Sequence, residues 1–376
     1  MSAASSSDTP SPTLAILTIF KNEAQQIYEW LVHHSLEGVT QFILLDQEST
    51  DDGASFVRRF AAHAAPTVRV DLFNITVHLD QVPAYNKFIH LVQTDWAMII
   101  DVDEYVYSRN GFSTVPQVLA RMHSKVNLIQ LPWKRFGSSG IFTQPRSVIT
   151  NFVRRQLLEE RPSTETKSLF RLSGLEAINN GSRIIWHQHR ASFELSVWLP
   201  RAQSFLSHAN PLPHESLPMQ GRMVRGPFKV HQWSIHINHY VTLSCEYFQK
   251  VRRTRGSVTK AQKPTMRTML YLAGTDNYTN AVVDDELKTK RGPEWESALP
   301  MERPWPTRAF DKRHQWLLNT TSRSRVNVID CGSFLWNATT GKTHVWQMGD
   351  PVDSSSTVAD KNDTDPSRAM RGELAC

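Results

Sequence analysis

Apolar and polar positions along the first 135 residues fall into blocks that switch between a strand period and a helix period. The pattern predicts a strand over Leu14–Phe20, followed by a helix in which Ala24, Ile27, Trp30, Leu31 and His34 recur at helical spacing. Asn22, with Gln25 three residues on, resembles a capping box opening that helix. Residues 41–45 predict a second strand ending at Asp46, residues 53–64 a helix, and residues 68–73 a third strand. A helical stretch over 84–92 leads into residues 96–100, a run apolar on both faces and too short for an ordinary helix, as in a buried parallel strand. Residues 127–133 predict one more strand. This alternation argues for an α/β fold built on a mostly parallel, doubly wound sheet with right-handed crossovers.

The pattern loosens after about residue 137. Residues 199–227 hold five prolines among Arg and His and predict a long loop or lid. Residues 231–240 alternate around Trp233, Ile235 and Ile237, as a strand does. Beyond residue 256 no clear period is present, and 348–376 has the low hydrophobicity of a disordered tail. The expected organisation is a short disordered arm (1–13), a main domain (14–256) with halves at 14–135 and 136–256, an extension of unknown structure (257–347) and the tail.

The apolar run over 96–100 ends in Asp101 and Asp103, with Glu104 beside them. If the chain stays extended, residues two apart point to the same side. Ligands of open α/β sheets bind at the carboxyl ends of the strands, and a crowded carboxylate pair there calls for a counter-charge. A hard divalent cation carrying a phosphate supplies one; a solvated acidic turn is the plainer reading of the motif alone. Two more predicted strands end in polar or acidic segments, Phe20-Lys-Asn-Glu23 and Asp46-Gln-Glu-Ser-Thr-Asp-Asp-Gly53. In a parallel sheet all three share one edge. A carboxylate after the second strand can accept from a base N–H or from ribose hydroxyls, or it can simply cap the next helix.

Composition changes this picture little. Of 376 residues, 40% are apolar and 21% charged, ordinary for a soluble globular chain. The excess of 42 basic over 36 acidic residues, +6, suits a phosphate-bearing ligand but is too mild for nucleic acid. The tightest basic cluster, Arg252, Arg253 and Arg255, reads as a solvated face. Three scattered cysteines, Cys245, Cys331 and Cys376, make neither a zinc cluster nor a disulfide scaffold. The start lacks the basic and apolar regions of a signal peptide, and no apolar run approaches a membrane span of ~20 residues. The expected location is therefore cytoplasmic. Six Asn-x-Ser/Thr sequons hint instead at a secretory route.

An ordered series of motifs resembles glycosyltransferase family 92 and the related family-2-like enzymes. It begins with Phe20-Lys-Asn-Glu, Tyr28-Glu-Trp-Leu-Val-His-His, Gly38-Val39 and Asp46-x-x-Ser-x-Asp51. It continues through Gln81-x-x-Ala-Tyr-Asn86, Trp96…Asp101-Val-Asp-Glu-Tyr105, Trp133-x-x-Phe-Gly-Ser-Ser-Gly140, Lys167-Ser168 and Asn238-His-Tyr-Val-Thr-x-Ser244. The resemblance spans about residues 14–256. It departs at Gln47-Glu48, where related enzymes often have Asn or Gly after the acid.

The resemblance implies a GT-A fold and a metal-dependent, inverting transfer of a hexose, such as galactose, from a UDP-linked nucleotide-sugar to a carbohydrate acceptor, with Mn²⁺ or Mg²⁺ on the acidic motif. By position, Asp103 would ligate the metal, Asp101 would contact metal or ribose, and His239 would be a late histidine ligand. Asp46 and Asp51 would contact the nucleoside, Phe20, Asn22, Glu23 and Asn86 would shape its pocket, and Lys167 would neutralise the diphosphate. Glu215 and Glu176 are candidates for the general base that inversion requires. Trp133 and Phe136 could stack on an acceptor sugar. Of His187 and His189 on a shared strand face, His189 is assigned to the acceptor site. Relatives are typically Golgi type II membrane proteins, so the Golgi or secretory lumen is the alternative location if the natural start lies upstream. A sugar-phosphate nucleotidyltransferase would need a Gly-rich basic loop after the first strand, which Phe20-Lys-Asn-Glu23 is not. A catalytically idle nucleotide- or carbohydrate-binding protein is the competing reading from another class.

Overall fold

The computed structural model describes residues 11–75, 81–122, 124, 126–158, 166–178, 183, 233–252, 269–300, 334–337 and 342–345. Strands β1 (Leu14–Phe20), β2 (Gln41–Asp46), β3 (Arg69–Asn74) and β4 (Trp96–Ile99) form a parallel half-sheet in the order β3-β2-β1-β4. Helices α1 (Ile27–Leu36), α2 (Gly53–His63) and α3 (Gln81–Phe88) connect them, and the short helices α4 (Val115–Leu119) and α5 (Val148–Asn151) follow later in the chain. Side chains alternate cleanly across the sheet. Leu14, Ile16, Phe42, Leu44, Trp96 and Met98 pack against Trp30, Leu31, Phe56 and Phe60 on one face. Ala15, Leu17, Ile43, Leu45, Ala97 and Ile99 meet Ala84, Tyr85, Phe88 and Leu175 on the other. Burial on both faces is why these strands read as continuous apolar runs.

The second half pairs mostly antiparallel, so the sheet as a whole is mixed. Strand β8 (Thr166–Arg171) runs against β4, and β6 (Leu128–Phe136) runs against β8. The path ends in the short strands β7 (Arg154–Arg155) and β10 (Val282–Val283). Strand β5 (Glu104–Ser108) pairs with β9 (Ile235–Tyr240), which lies parallel to β6. The free edge of β5 is closed by α1. Trp30 Nε1 donates to Glu104 O, His33 Nε2 lies 2.8 Å from Val106 O, Val106 N donates to His34 Nε2, and Ser108 N donates to Glu37. Positions 30, 33, 34 and 37 lie on one helix face, so these side chains take the place of a neighbouring strand.

Residues 269–300 belong to the same body. Helix α8 (Met269–Thr279) reaches the Gly137–Gly140 loop, where Ser138 N donates to Asp276 Oδ1 and Ser139 N to Asn280 Oδ1. A Cβ on Gly137 would fall 2.4 Å from Asn280 Oδ1, so only glycine allows this approach. Helix α9 (Glu286–Arg291) is held by Tyr107, Lys134 and Arg109, and Trp295 donates to buried Glu29. The expected boundary at residue 135 falls inside β6, and the extension after 256 contributes a strand and core side chains. A hairpin of β11 (Phe334–Asn337) and β12 (Lys342–Val345) completes the described structure. No helix among the described residues is long and apolar enough to cross a membrane. The expected lid (199–227) and tail lie outside the described residues.

The α1 histidines make an acid-sensitive contact. Burial pulls His34 down to about 3. Its Nδ1–H bonds Trp30 O, so Nε2 must stay unprotonated to accept from Val106. His236 is likewise pulled down to about 3, by burial and then by Lys134. The unfolded chain binds these protons more readily, so stability should fall as pH drops from about 6.5 towards 3. Each histidine should contribute a slope of about 1.4 kcal/mol per pH unit. Urea unfolding at several pH values checks this, and His34→Gln should flatten the slope by about one proton; an unchanged slope would contradict the assignment.

Candidate functional site

The site lies at the carboxyl edge of the parallel half-sheet. Phe20 and Asp46 end neighbouring strands in register, and β4 ends one strand over. The loops after β1 and β2 are laced together. Asn22, at φ +54°, accepts from Thr50 N at 2.7 Å, and its own N–H donates to Ser49 Oγ. Asp51 accepts from Ala24 N and Gly53 N, and Asp46 accepts from Ser49 N. These bonds replace the expected capping box. Helix α1 starts only at Ile27, with Gln26 as its N-cap, and Asn22 ties loop to loop. Burial pushes the Asp51 carboxyl up, and its hydrogen bonds serve the loop.

After β4 the chain does not stay extended. Residues 101–104 make a turn in which Glu104 N donates to Asp101 O, so Asp101 and Asp103 do not share a side. The Asp101 side chain keeps 34% of its surface open, whereas Asp103 and Glu104 are buried. Strand β8, antiparallel to β4, delivers Lys167 to this turn. The buried ammonium lies 3.0 Å from Asp101 Oδ2 and 3.3 Å from Glu104 Oε2. Burial opposes its charge, yet Asp101 and Glu104 hold its pKa above the ordinary lysine value. Burial pushes Glu104 well up, against the pull of Lys167, and its Oε2 accepts from Asp101 N at 2.9 Å.

Asp103 meets a second set of partners. Arg252 donates to it in a close ion pair, and His239 Nε2 stands 3.6 Å away. Burial works against the charge, but Arg252 and then His239 hold the Asp103 carboxyl far below the usual range. Burial also lowers His239, with Asp103 opposing. Arg252 lies at the end of a wide π-helical turn, Phe248–Arg252, which continues the short helix α7 (Cys245–Tyr247). Tyr247 donates to Glu23 Oε2 at 2.6 Å, so this segment bridges the ends of β1 and β4.

Asp103, Glu104 and His239 form a group whose ligand atoms all lie within 4.8 Å of one another, close enough for one cation to reach all three. Two of its buried atoms, Glu104 Oε1 and His239 Nδ1, find no hydrogen-bond partner among the described residues. A metal ion beside His239 Nε2, the nitrogen that faces Asp103, would satisfy Glu104 Oε1, so the donor set fits one. Glu104 takes the place expected for Asp101, because the turn rotates Asp101 towards Lys167.

The remaining expected residues divide clearly. Trp133 packs beside the site, its ring 4.2 Å from that of His239. Phe136 is fully buried against Tyr240, which closes it to a sugar ring. Asn86 is half-buried on α3, next to buried Tyr85, whose hydroxyl is pushed up by burial and then by Asp101 and Glu104. Glu176 sits on α6 (Leu172–Ile178), at the opposite edge of the sheet, paired with Arg183, which also donates to Val92 O. That places it away from the acid turn. Glu215, His187 and His189 lie outside the described residues. Arg252, expected on a solvated face, is instead buried on Asp103. Cys245 is disulfide-bonded; a single such bond does not make a disulfide scaffold.

Lys167→Met should destabilise the fold by roughly 3–5 kcal/mol, because it strands buried acids without a counter-charge. Denaturant unfolding measures this, and a change below about 0.5 kcal/mol, the scale of ordinary surface substitutions, would show that the turn does not depend on the ammonium.

The family model for glycosyltransferase family 92 matches residues 13–197. A glycosyltransferase family 92 protein of Ricinus communis is 27% identical over 165 residues, covering 41% of this chain and 28% of that protein. One of Oryza sativa subsp. japonica is 24% identical over 209 residues, covering 50% and 34%. The chain thus spans about a third of the length of these relatives. Among solved structures, the mannosyltransferase PcManGT of Pyrobaculum calidifontis, in complex with GDP-Man and Mn²⁺, aligns at TM-score 0.33 and 15% identity, covering 50% of this chain and 53% of that one. S. aureus TarS 1–349 in complex with UDP aligns at TM-score 0.32 and 13% identity, covering 51% and 55%.

Proposed function

Because residues 13–197 match the model of glycosyltransferase family 92, we propose that the chain transfers a sugar from a nucleotide-sugar, UDP-linked, to a carbohydrate acceptor, with inversion and with the help of a divalent cation. The observation that carries this reading is the acid turn Asp101–Glu104 at the carboxyl edge of β4, with Asp46 two strands away on the same edge. A nucleotide belongs at such an edge. Asp103, Glu104 and His239 would hold Mn²⁺ or Mg²⁺, which as a Lewis acid stabilises charge on a departing diphosphate.

The chain's own groups suit the rest of the task. Asp101, the most open acid of the turn, can accept from ribose hydroxyls or a hydrated ion. Lys167 places a fixed positive charge beside the developing negative one, which costs no reorganisation when the bond breaks. The lacing of Asn22, Ser49, Thr50 and Asp51 holds both nucleotide-side loops still. Trp133, buried against His239, backs that ring on the acceptor side. A disulfide at Cys245 favours an oxidising compartment, so we place the working protein in the secretory lumen.

Release of nucleotide from a panel of UDP-sugars and GDP-mannose, with and without Mn²⁺, tests the reading. Slow, metal-dependent release is expected, with acceleration by a glycan acceptor. Asp103→Asn should lower it by roughly 10²–10³-fold, the range for losing one charge-stabilising group, while the fold persists. Binding of nucleotide-sugar without turnover on any acceptor would favour an idle binding protein instead.

A further inference from the structure

Among the described residues two protein cations, Lys167 and Arg252, serve the acid turn, and they are committed to it very differently. Lys167 is held by two carboxylates, at 3.0 and 3.3 Å. Arg252 carries five N–H donors, yet among the described residues its guanidinium has only Asp103 and a long 3.5 Å contact to Tyr240 O. Its Nε finds no partner there although the side chain is buried. A guanidinium with one carboxylate partner keeps further N–H donors with which to take up a second anion.

The unsatisfied atoms cluster around that one carboxylate. Glu104 Oε1, His239 Nδ1 and Arg252 Nε all lack partners among the described residues, and all belong to side chains that converge on or adjoin Asp103. A divalent ion would satisfy Glu104 Oε1, and the Asp103 oxygen that faces His239, Oδ2, is the one that Arg252 now takes. The segment bearing Arg252 is itself irregular. Phe248–Arg252 is a π-helical turn, a form that recurs at functional sites. Its N-terminal side is anchored, since Tyr247 stays bonded to Glu23. Arg252 can therefore leave Asp103 while the segment remains docked.

We propose that Arg252 is a tethered counter-ion for the cation site: it holds Asp103 while no divalent ion is bound and is displaced from it when the ion enters. This rests on the metal-dependent transferase reading and deepens it by naming what occupies the site between turnovers. The arrangement keeps a buried carboxylate compensated in the empty enzyme. It also lowers the apparent metal affinity by the fraction of molecules in which Arg252 is bound. Once displaced, the guanidinium lies beside the site where a diphosphate would sit, a geometry that suits its planar donors.

Calorimetric titration of Mn²⁺ into the full chain without nucleotide tests the proposal, alongside melting curves with and without the ion. Arg252→Gln should bind Mn²⁺ at least about fivefold more tightly, within the usual range of coupling between sites. Its melting temperature should fall without metal and recover when Mn²⁺ is added. Arg252→Lys, which keeps a charge and guards against loss of the fold, should lie between. Unchanged or weaker Mn²⁺ binding in both variants overturns the proposal. So does Mn²⁺ binding that Asp103→Asn leaves intact, which would put the ion elsewhere. Nucleotide release from UDP-sugars is scored separately, so failure of the counter-ion idea is distinguishable from failure of the transferase reading.

Discussion

Three carboxylates within four residues, at the end of a buried strand, set the constraint that the rest of this structure answers. Asp103 and Glu104 are out of water and Asp101 is two-thirds so, and burying such groups uncompensated costs several kcal/mol each. Two cations answer them from distant parts of the sequence. Lys167 arrives because β8 runs antiparallel to β4, which places the start of β8 beside the end of β4. Arg252 arrives because β9 pairs with β5 and the chain then turns back over the β1 end through Tyr247. Much of the second half of the fold is the means of bringing these charges home.

The same constraint explains the role of α1. Strand β5 begins at Glu104, so any slip in its register would move Glu104 away from Lys167. Strand β9 fixes one edge of β5, and Trp30, His33, His34 and Glu37 fix the other. Lys290 and Arg291 then compensate Glu37, which draws residues 269–300 into the support of the site. The acid turn, its register clamp and the C-terminal helices are therefore one mechanical unit. A turn so held presents preorganised charge to a ligand, which is what stabilising a departing diphosphate requires.

The parallel half-sheet was legible in the sequence because burial on both faces leaves an unmistakable apolar run, and strand ends mark the edge where ligands gather. The ordered motifs of the resemblance pointed to Asp101, Asp103, Lys167 and His239, which the structure gathers at one turn. What was not legible depended on chain reversals and distant pairings. The turn at 101–104 exchanges Asp101 for Glu104, and spacing alone cannot reveal a reversal. Arg252 read as solvated because its partner is 149 positions away. Phe136 offered an aromatic ring without showing which face of β6 it occupies. Helix α8 lacked a clear period because its polar side chains, Asp276 above all, face the Gly137–Gly140 loop instead of water.

The central claim is that the acid turn is where a nucleotide's diphosphate and its cation bind. Anomalous scattering at the manganese edge, from crystals of the protein with Mn²⁺ and UDP, tests it most directly. The account predicts a single strong peak within bonding distance of Asp103 and His239, with the UDP lying along the ends of β1, β2 and β4. A peak away from that turn, or UDP bound with Asp103 still enclosed and remote from it, would contradict the account.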